Sequence, residues 1–208
     1  MVRRTKEDAG ATRAALLDAA EQVFYEQGVA RASLSEIAQR AGATRGAVYW
    51  HFKDKLDLFF AMLERVALPL EREAYSDESA GVLMTGVARV RHVMALVFAQ
   101  LERDAQTRRV FEILLNKVEY VGELLSVQER SLEARAAFEA KLAGYIAAAE
   151  REQSVRLQVP AEEAALALRC LFDGLIKSWL MSHSRFDLSG AGMRAVDAYL
   201  HGVGLRTQ

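Results

Sequence analysis

Two short helical segments separated by one glycine, all within residues 33–55, constrain this chain more than any other stretch of it. Ser33 suits an N-cap, and Glu36 three residues on completes a capping box, in which side chains satisfy the free N–H groups of a first turn. Leu34, Ile37, Ala38 and Ala41 then recur at the i, i+3, i+4, i+7 spacing of a helix with one buried stripe. Gly42 ends it, because the residue past a helix end adopts a left-handed backbone most easily without a Cβ. Thr44 caps the next helix, with Ala43 and Val48 placed as a hydrophobic staple. Two helices across so tight a turn make a helix-turn-helix, whose second member fits the major groove of DNA.

At about 100° per residue, Val48 and Phe52 share one side of that second helix and should pack inward. Arg45, Gly46, Tyr49 and, at the edge, Trp50 then face out. Glycine costs about 1 kcal/mol against alanine inside a helix, so Gly46 makes sense where the backbone must come close to DNA. A guanidinium such as that of Arg45 can donate two hydrogen bonds to guanine, the commonest contact that reads a base. Tyr49, His51, Lys55 and the hydroxyls of Ser33 and Thr44 suit phosphates, which position a protein without reading sequence. The rival is a plain helical hairpin with solvated faces, which an exposed glycine and two exposed aromatics fit poorly.

Charge is distributed in the sense this predicts. Residues 1–55 hold nine Lys or Arg against seven Asp or Glu, while the rest hold 18 against 21. Solvated charge noise can look similar, so the asymmetry only supports a DNA-binding head on a neutral-to-acidic body. With 208 residues, 51% of them hydrophobic, the chain can build that head and a larger core. No apolar run reaches the ~18 residues of a membrane span, and the start is unlike a signal peptide. A lone Cys170 precludes an intramolecular disulfide and fits the cytoplasm; in mid-helix it reads as a small buried hydrophobe, with an oxidation sensor as the alternative. His51, His92, His183 and His201 are too scattered for a metal site, and no nucleophile–base or phosphate-loop pattern occurs, so neither an enzyme nor a cofactor is expected.

Helical periodicity without strand alternation makes the chain all-α: a three-helix head, a linker helix and a larger helical body, divided as residues 1–55 and 56–208. A first helix from about Thr12 to Gly28 buries Leu16, Leu17, Ala20, Val23 and Phe24; the stretch before it lacks an apolar period and is expected to be mobile. Arg3, Arg4 and Lys6 there are either an arm for phosphates or a minor groove, or an ordinary frayed terminus. Asp54 caps the linker helix, and Pro69 should kink or end it. After a polar break at Ser76–Ser79, one helix carries Val87, Val90, Met94, Val97, Phe98 and Leu101, and a short one covers about 106–115. A long helix covers about 127–153, with Leu132, Phe138, Leu142, Tyr145 and Ile146 inward. Pro160 suits the first position of the next, whose apolar surface is broader than one partner needs, and about 190–202 forms the last.

The pattern Ala19-Ala20…Phe24…Gly28, Ile37-Ala38…Ala41-Gly42 and Gly46-Ala47-Val48-Tyr49-Trp50-His51-Phe52 with Lys55 resembles the tetracycline-repressor (TetR/AcrR) family of bacterial transcription regulators. The likeness is strongest to repressors of multidrug efflux pumps, which often open as Met1-Val2-Arg3-Arg4-Thr5-Lys6-Glu7 does. It continues more weakly through Asp104-Ala105-Gln106-Thr107-Arg108-Arg109…Glu112-Ile113-Leu114 and Asp173-Gly174-Leu175-Ile176…Trp179-Leu180.

This resemblance implies a homodimer joined by a four-helix interface from the last two helices, here with Leu171, Trp179, Val196, Tyr199 and Leu200. A single short recognition helix also reads too few base pairs for tight specific binding. The resemblance further implies an effector pocket at Val97, Phe98, Phe111, Leu115, Asn116, Phe138, Phe172, Asp173, Ile176 and Lys177, a mostly apolar set suited to a small hydrophobic, aromatic or cationic compound. Asp173 and Lys177 read equally well as a surface i, i+4 ion pair. The implied protein is a repressor on palindromic double-stranded operator DNA near an efflux operon, released when an effector swings the linker helix. Sensing of a native metabolite (acyl-coenzyme A, a fatty acid or a quorum signal), activation instead of repression, and a helical adaptor or enzyme remain the alternatives.

Overall fold

The computed structural model describes residues 6–75, 84 and 86–207. Among them are nine α-helices and no strand: α1 (Lys6–Gln27), α2 (Leu34–Arg40), α3 (Arg45–His51), α4 (Lys55–Tyr75), α5 (Gly86–Arg103), α6 (Ala105–Asn116), α7 (Leu125–Gln153), α8 (Ala161–Met181) and α9 (Leu188–Gly202). None of the helices is long and apolar enough to cross a membrane. The side chains of Arg3, Arg4 and Lys6 and the break expected at Ser76–Ser79 lie outside the described residues.

Packing divides the chain into one unit of Met1–Leu68 with Gln106–Glu129 and another of Pro69–Ala105 with Arg130–Gln208. This cut differs from a division at residue 55: it places the first two-thirds of α4 and nearly all of α6 with the head.

In the first unit, α1 buries Leu16, Leu17, Ala20, Val23 and Phe24. Phe24 meets Phe59 of α4 edge-on at 5.7 Å between ring centroids. Burying a side chain of this size contributes about 1.5–3 kcal/mol. Helix α1 starts at Lys6, well before the expected Thr12. The added turn lacks an apolar stripe but includes a hydrogen bond from the Thr12 hydroxyl to the Asp8 carbonyl (2.9 Å), so hydrophobic period alone misses it. The Asp54 carboxylate caps α4 through the Asp57 amide (2.8 Å). Helix α4 continues through Pro69 to Tyr75 instead of ending there. Proline has no N–H, so the Arg65 carbonyl lacks its rung in the helical ladder.

In the second unit, α5 and α8 both pack on α9. Val90, Met94, Phe98 and Leu101 of α5, Leu168, Phe172 and Ile176 of α8, and Val196 and Leu200 of α9 are buried. Gly192 lets α9 approach Phe98; a Cβ there would lie 2.6 Å from the ring. The start of α9 is tied down by Asp187, which accepts from the Gly190 amide (2.7 Å), and by Glu102, which accepts from the Leu188 amide (2.7 Å). Arg89, buried, donates to the Ala74 carbonyl at the end of α4 (3.0 Å) and to the Met84 carbonyl (3.2 Å). Lys141 of α7 lies 3.9 Å from the Tyr75 ring centre. Burial first, then the charges of Tyr145 and Glu71, push the Tyr75 phenol up to about 12.

Two expectations for the later helices do not hold. Leu132 is 56% exposed, because it sits in a stretch of α7, 132–137, whose residues all face solvent. Pro160 occupies the cap of α8, with φ −54° and ψ 147°, one residue before the helix begins.

Candidate nucleic-acid interface

The local chemistry of residues 33–55 fixes α3 against α1 and α2. Ser33 has extended backbone angles (φ −115°, ψ 147°), and its hydroxyl accepts from the Glu36 amide at 3.2 Å. The Ser33 amide donates back to the Glu36 carboxylate at 3.0 Å, which closes the capping box. The Ser33 hydroxyl also donates to that carboxylate (2.7 Å), so its only proton is committed inside the box. These two Ser33 donors hold the Glu36 carboxyl below the usual carboxylate range. Gly42 takes φ +64° in the turn, as the reading requires. Thr44 accepts from the Ala47 amide at 3.2 Å, a bond that does not use its own O–H proton.

Val48 and Phe52 are buried, with the Arg13 guanidinium 5.2 Å from the Phe52 ring centre. Opposite them, Arg45 and Gly46 are exposed, Tyr49 is 50% exposed and Trp50 71%. Arg45 Nη2 donates to the Tyr49 hydroxyl at 3.3 Å and its guanidinium carbon lies 5.6 Å from that ring centre. A Cβ on Gly46 would meet only Thr44 Oγ1, at 3.9 Å. Among the described residues nothing therefore demands glycine at this position. His51 is half-buried, its ring edge-on to Trp50 at 4.5 Å. Lys55 Nζ donates to the Ala30 carbonyl at 3.1 Å, which ties one of its three protons to the turn after α1.

The residues expected to hold an effector fall in both units. Phe111 and Leu115 are half-buried on α6, and Asn116 is exposed at its end. In the second unit the Phe98 and Phe172 rings are tilted by 35° at 5.1 Å between centroids, with Phe138 at 6.0 Å from Phe172. Val97 is half-buried and Ile176 buried. Asp173 does not pair with Lys177, which is exposed; it accepts from Arg169 Nη1 at 2.7 Å, one turn in the other direction. Arg169 also bonds Glu139 of α7, so an ionic clasp that the sequence reading overlooked joins α7 to α8 beside the Phe138–Phe172 contact.

Three of the residues expected at a dimer interface are buried within the chain itself. Trp179, Val196 and Leu200 are buried in the single chain, Trp179 Nε1 donating to the Phe186 carbonyl at 2.9 Å. Leu171 and Tyr199 are half-buried, and the Tyr199 hydroxyl donates to the Ala164 carbonyl (3.0 Å). Apolar spacing marks both faces of α8 and cannot tell which is covered by α9. The uncovered face carries Leu166, Ala167, Cys170, Gly174 and Met181, so Cys170 is exposed, contrary to expectation.

Sequence reasoning also missed a buried carboxylate. Glu21 of α1, 3% exposed, accepts from Arg109 Nε (2.6 Å), Gln106 Nε2 (2.9 Å) and Arg65 Nη2 (3.1 Å). An acidic residue one turn from both Leu17 and Phe24, on the apolar stripe, was the available signal.

Comparisons with known proteins agree with this geometry. The family model described as bacterial regulatory proteins, tetR family, matches residues 16–62. The model of the MAATS-type transcriptional repressor C-terminal region matches residues 86–204. The HTH-type transcriptional regulator TtgR of Pseudomonas putida is 38% identical over 96% of this chain and 95% of its own length. The crystal structure of NalD, the secondary repressor of the MexAB-OprM multidrug efflux pump in Pseudomonas aeruginosa, aligns with a TM-score of 0.82 and 32% identity, covering 97% of this chain and all (100%) of that one. The triclosan complex of SmeT, the repressor of the Stenotrophomonas maltophilia multidrug efflux pump SmeDEF, aligns at 0.75 and 31% identity over 92% of this chain and 91% of that one.

Proposed function

The chain belongs to the tetR family of bacterial regulatory proteins, and on that premise we propose that it is an effector-responsive repressor of a multidrug efflux operon. It binds a palindromic operator as a homodimer, and a small hydrophobic or aromatic compound releases it. The observation that carries this is the outer face of α3: a guanidinium, a glycine no internal contact requires and two exposed aromatics, on a helix locked by its cap and by buried Val48 and Phe52.

Arg45 reads a base edge, while Thr44, Tyr49, Trp50, His51 and Lys55 position the helix on the backbone. Ser33 contributes only through the capping box that sets the start of α2, because Glu36 already holds both its amide proton and its hydroxyl proton. Paired heads present two such helices about 34–36 Å apart, one turn of DNA. The face that α8 leaves open, Leu166 to Met181, is the one we assign to subunit pairing; its Ala167, Cys170 and Gly174 let helices approach closely. Phe98, Phe138 and Phe172 supply the aromatic lining for the effector. Effector binding loosens the operator only through its different affinity for the bound and released states; a coupling of about 1–3 kcal/mol gives a ~5–150-fold change.

Footprinting on DNA flanking the protein's own gene, with and without triclosan, tests the reading. The expected result is a twofold-symmetric protected site, bound by a species of twice the monomer mass in sedimentation and weakened by the compound. No protection at low salt, or protection by a monomer, would overturn it.

A further inference from the structure

The Gln106…Arg109 part of the motif on α6 has no place in DNA contact or in the effector lining, yet its side chains close on the most buried carboxylate of the first unit. Arg109 and Gln106 take one oxygen each of Glu21, and Arg65 of α4 shares the second with Gln106. Arg65 also holds Asp18 of α1 at 2.6 Å. Three side chains from two helices thus converge on one turn of α1. A carboxylate withdrawn from water is stable only while such partners stay in place, so the cluster tolerates little displacement of any one helix. The far end of α6 is fixed as well. The Val29 amide, at the turn into α2, donates to the Lys117 carbonyl at 3.1 Å, and Gly28 (φ +81°) lies close enough that a Cβ would sit 3.3 Å from that oxygen. Some 16 Å of helix separates Gln106 from Lys117 at about 1.5 Å per residue, so α6 is fixed to α1 near its start and to the turn that follows α1 at its end.

Helix α1 carries the connection onward. Glu26 holds Arg40 of α2 by two bonds of 2.6 and 2.8 Å, and Arg13 covers Phe52 at the end of α3. On the same helix α6, between its two fixed ends, stand Phe111 and Leu115.

We infer that Glu21, with Gln106 and Arg109, is the joint through which a shift of α6 is passed to the DNA-contacting helix α3. This rests on the proposed effector response but assigns it a mechanical route. Glu21 and Arg109 act as positioning residues: they touch neither DNA nor effector, and they set where α1, and with it α2 and α3, stands when α6 moves.

Amide hydrogen exchange on the full chain, without DNA or effector, tests the joint apart from the DNA-binding reading. Glu21→Gln removes the charge, and Arg109→Gln removes one partner at a side chain that is 44% exposed and therefore tolerant of change. The expected result for either is exchange faster by about fivefold or more in residues 106–117 and also in 45–51, with 188–202 as in wild type. Acceleration confined to 106–117, or none, would reduce the cluster to local packing and overturn the inference. If Glu21→Gln accelerates 188–202 as well, the chain has lost its fold and the Arg109→Gln result decides by the same criterion. A wild-type protein that fails to footprint would sink the proposed function while leaving this outcome readable.

Discussion

Replacing Gly192 with alanine sets two known effects against each other at one buried site. In the middle of α9, alanine should stabilise by about 1 kcal/mol through helix propensity. Its Cβ, however, would stand 2.6 Å from one Phe98 ring carbon and 3.0 Å from two others. Carbon atoms pack at about 3.5–4.0 Å, so the ring would have to retreat by roughly 1 Å. It has nowhere to go: Phe98 is fully buried and its ring centre is already 5.1 Å from that of Phe172. Overpacking of this kind costs about 1–3 kcal/mol, so the net expectation is a loss of up to about 2 kcal/mol. For a chain of this length that lowers the melting midpoint by several degrees, at about 2–4 °C per kcal/mol. Urea denaturation at fixed protein concentration measures it, since the proposed pairing would make the midpoint concentration-dependent. Phe98→Leu provides the internal control: in that background the same alanine should be neutral or stabilising, and the double-mutant cycle isolates the clash. A Gly192→Ala protein at least as stable as wild type would refute the steric reasoning.

Arg45→Ala should weaken operator binding by about 1–3 kcal/mol and relax discrimination at one base position, measured by titration against a substituted operator set; wild-type binding would remove Arg45 from the reading face. Lys55→Ala should lower affinity for all sequences alike and also cost stability on the order of 1 kcal/mol, because the bond to the Ala30 carbonyl goes with it; thermal melting alongside gel shifts separates the two. Truncating Phe172 should change the effector dose response while sparing operator affinity. Acidification should fray α2. With Glu36 held below its ordinary 4.5, its contribution is complete above that value and is lost as pH falls through the lower folded-state value, visible as faster exchange of the 34–40 amides. At the alkaline end the sign reverses in cause. The Tyr75 phenol, raised to about 12, contributes stability that is complete below pH 10 and lost as pH climbs toward 12, and Tyr75→Phe should flatten that decline.

The elements legible from sequence were those with local causes. Ser33, Glu36, Gly42 and Thr44 act on backbone within four residues of themselves, so the two helices and the turn between them could be placed to within a residue. Long-range choices were not legible. Trp179, Val196 and Leu200 show as an apolar stripe on α8 and α9, but only the packing of those helices on each other decides that the stripe is consumed within the subunit. Leu132 has apolar spacing and is 56% exposed all the same. Asp173 had two candidate partners one turn away, Arg169 and Lys177, and the geometry of Glu139 on α7 favoured the first. Glu21 was hidden for the opposite reason: its partners are 44 residues away at Arg65 and 85 or more away at Gln106 and Arg109.

Pro69 gives α4 an unusual mechanical character. Flexing an ordinary helix strains an intact run of backbone bonds, but here the one that would resist, from residue 69 to the Arg65 carbonyl, does not exist. The side chain of that same Arg65 grips Asp18 and Glu21 on the near side, while Arg89 grips the Ala74 carbonyl on the far side. The rod is thus clamped on both flanks of a point where its backbone ladder is one rung short. Pro69→Ala would fill the gap and turn a compliant spring into a rigid shaft.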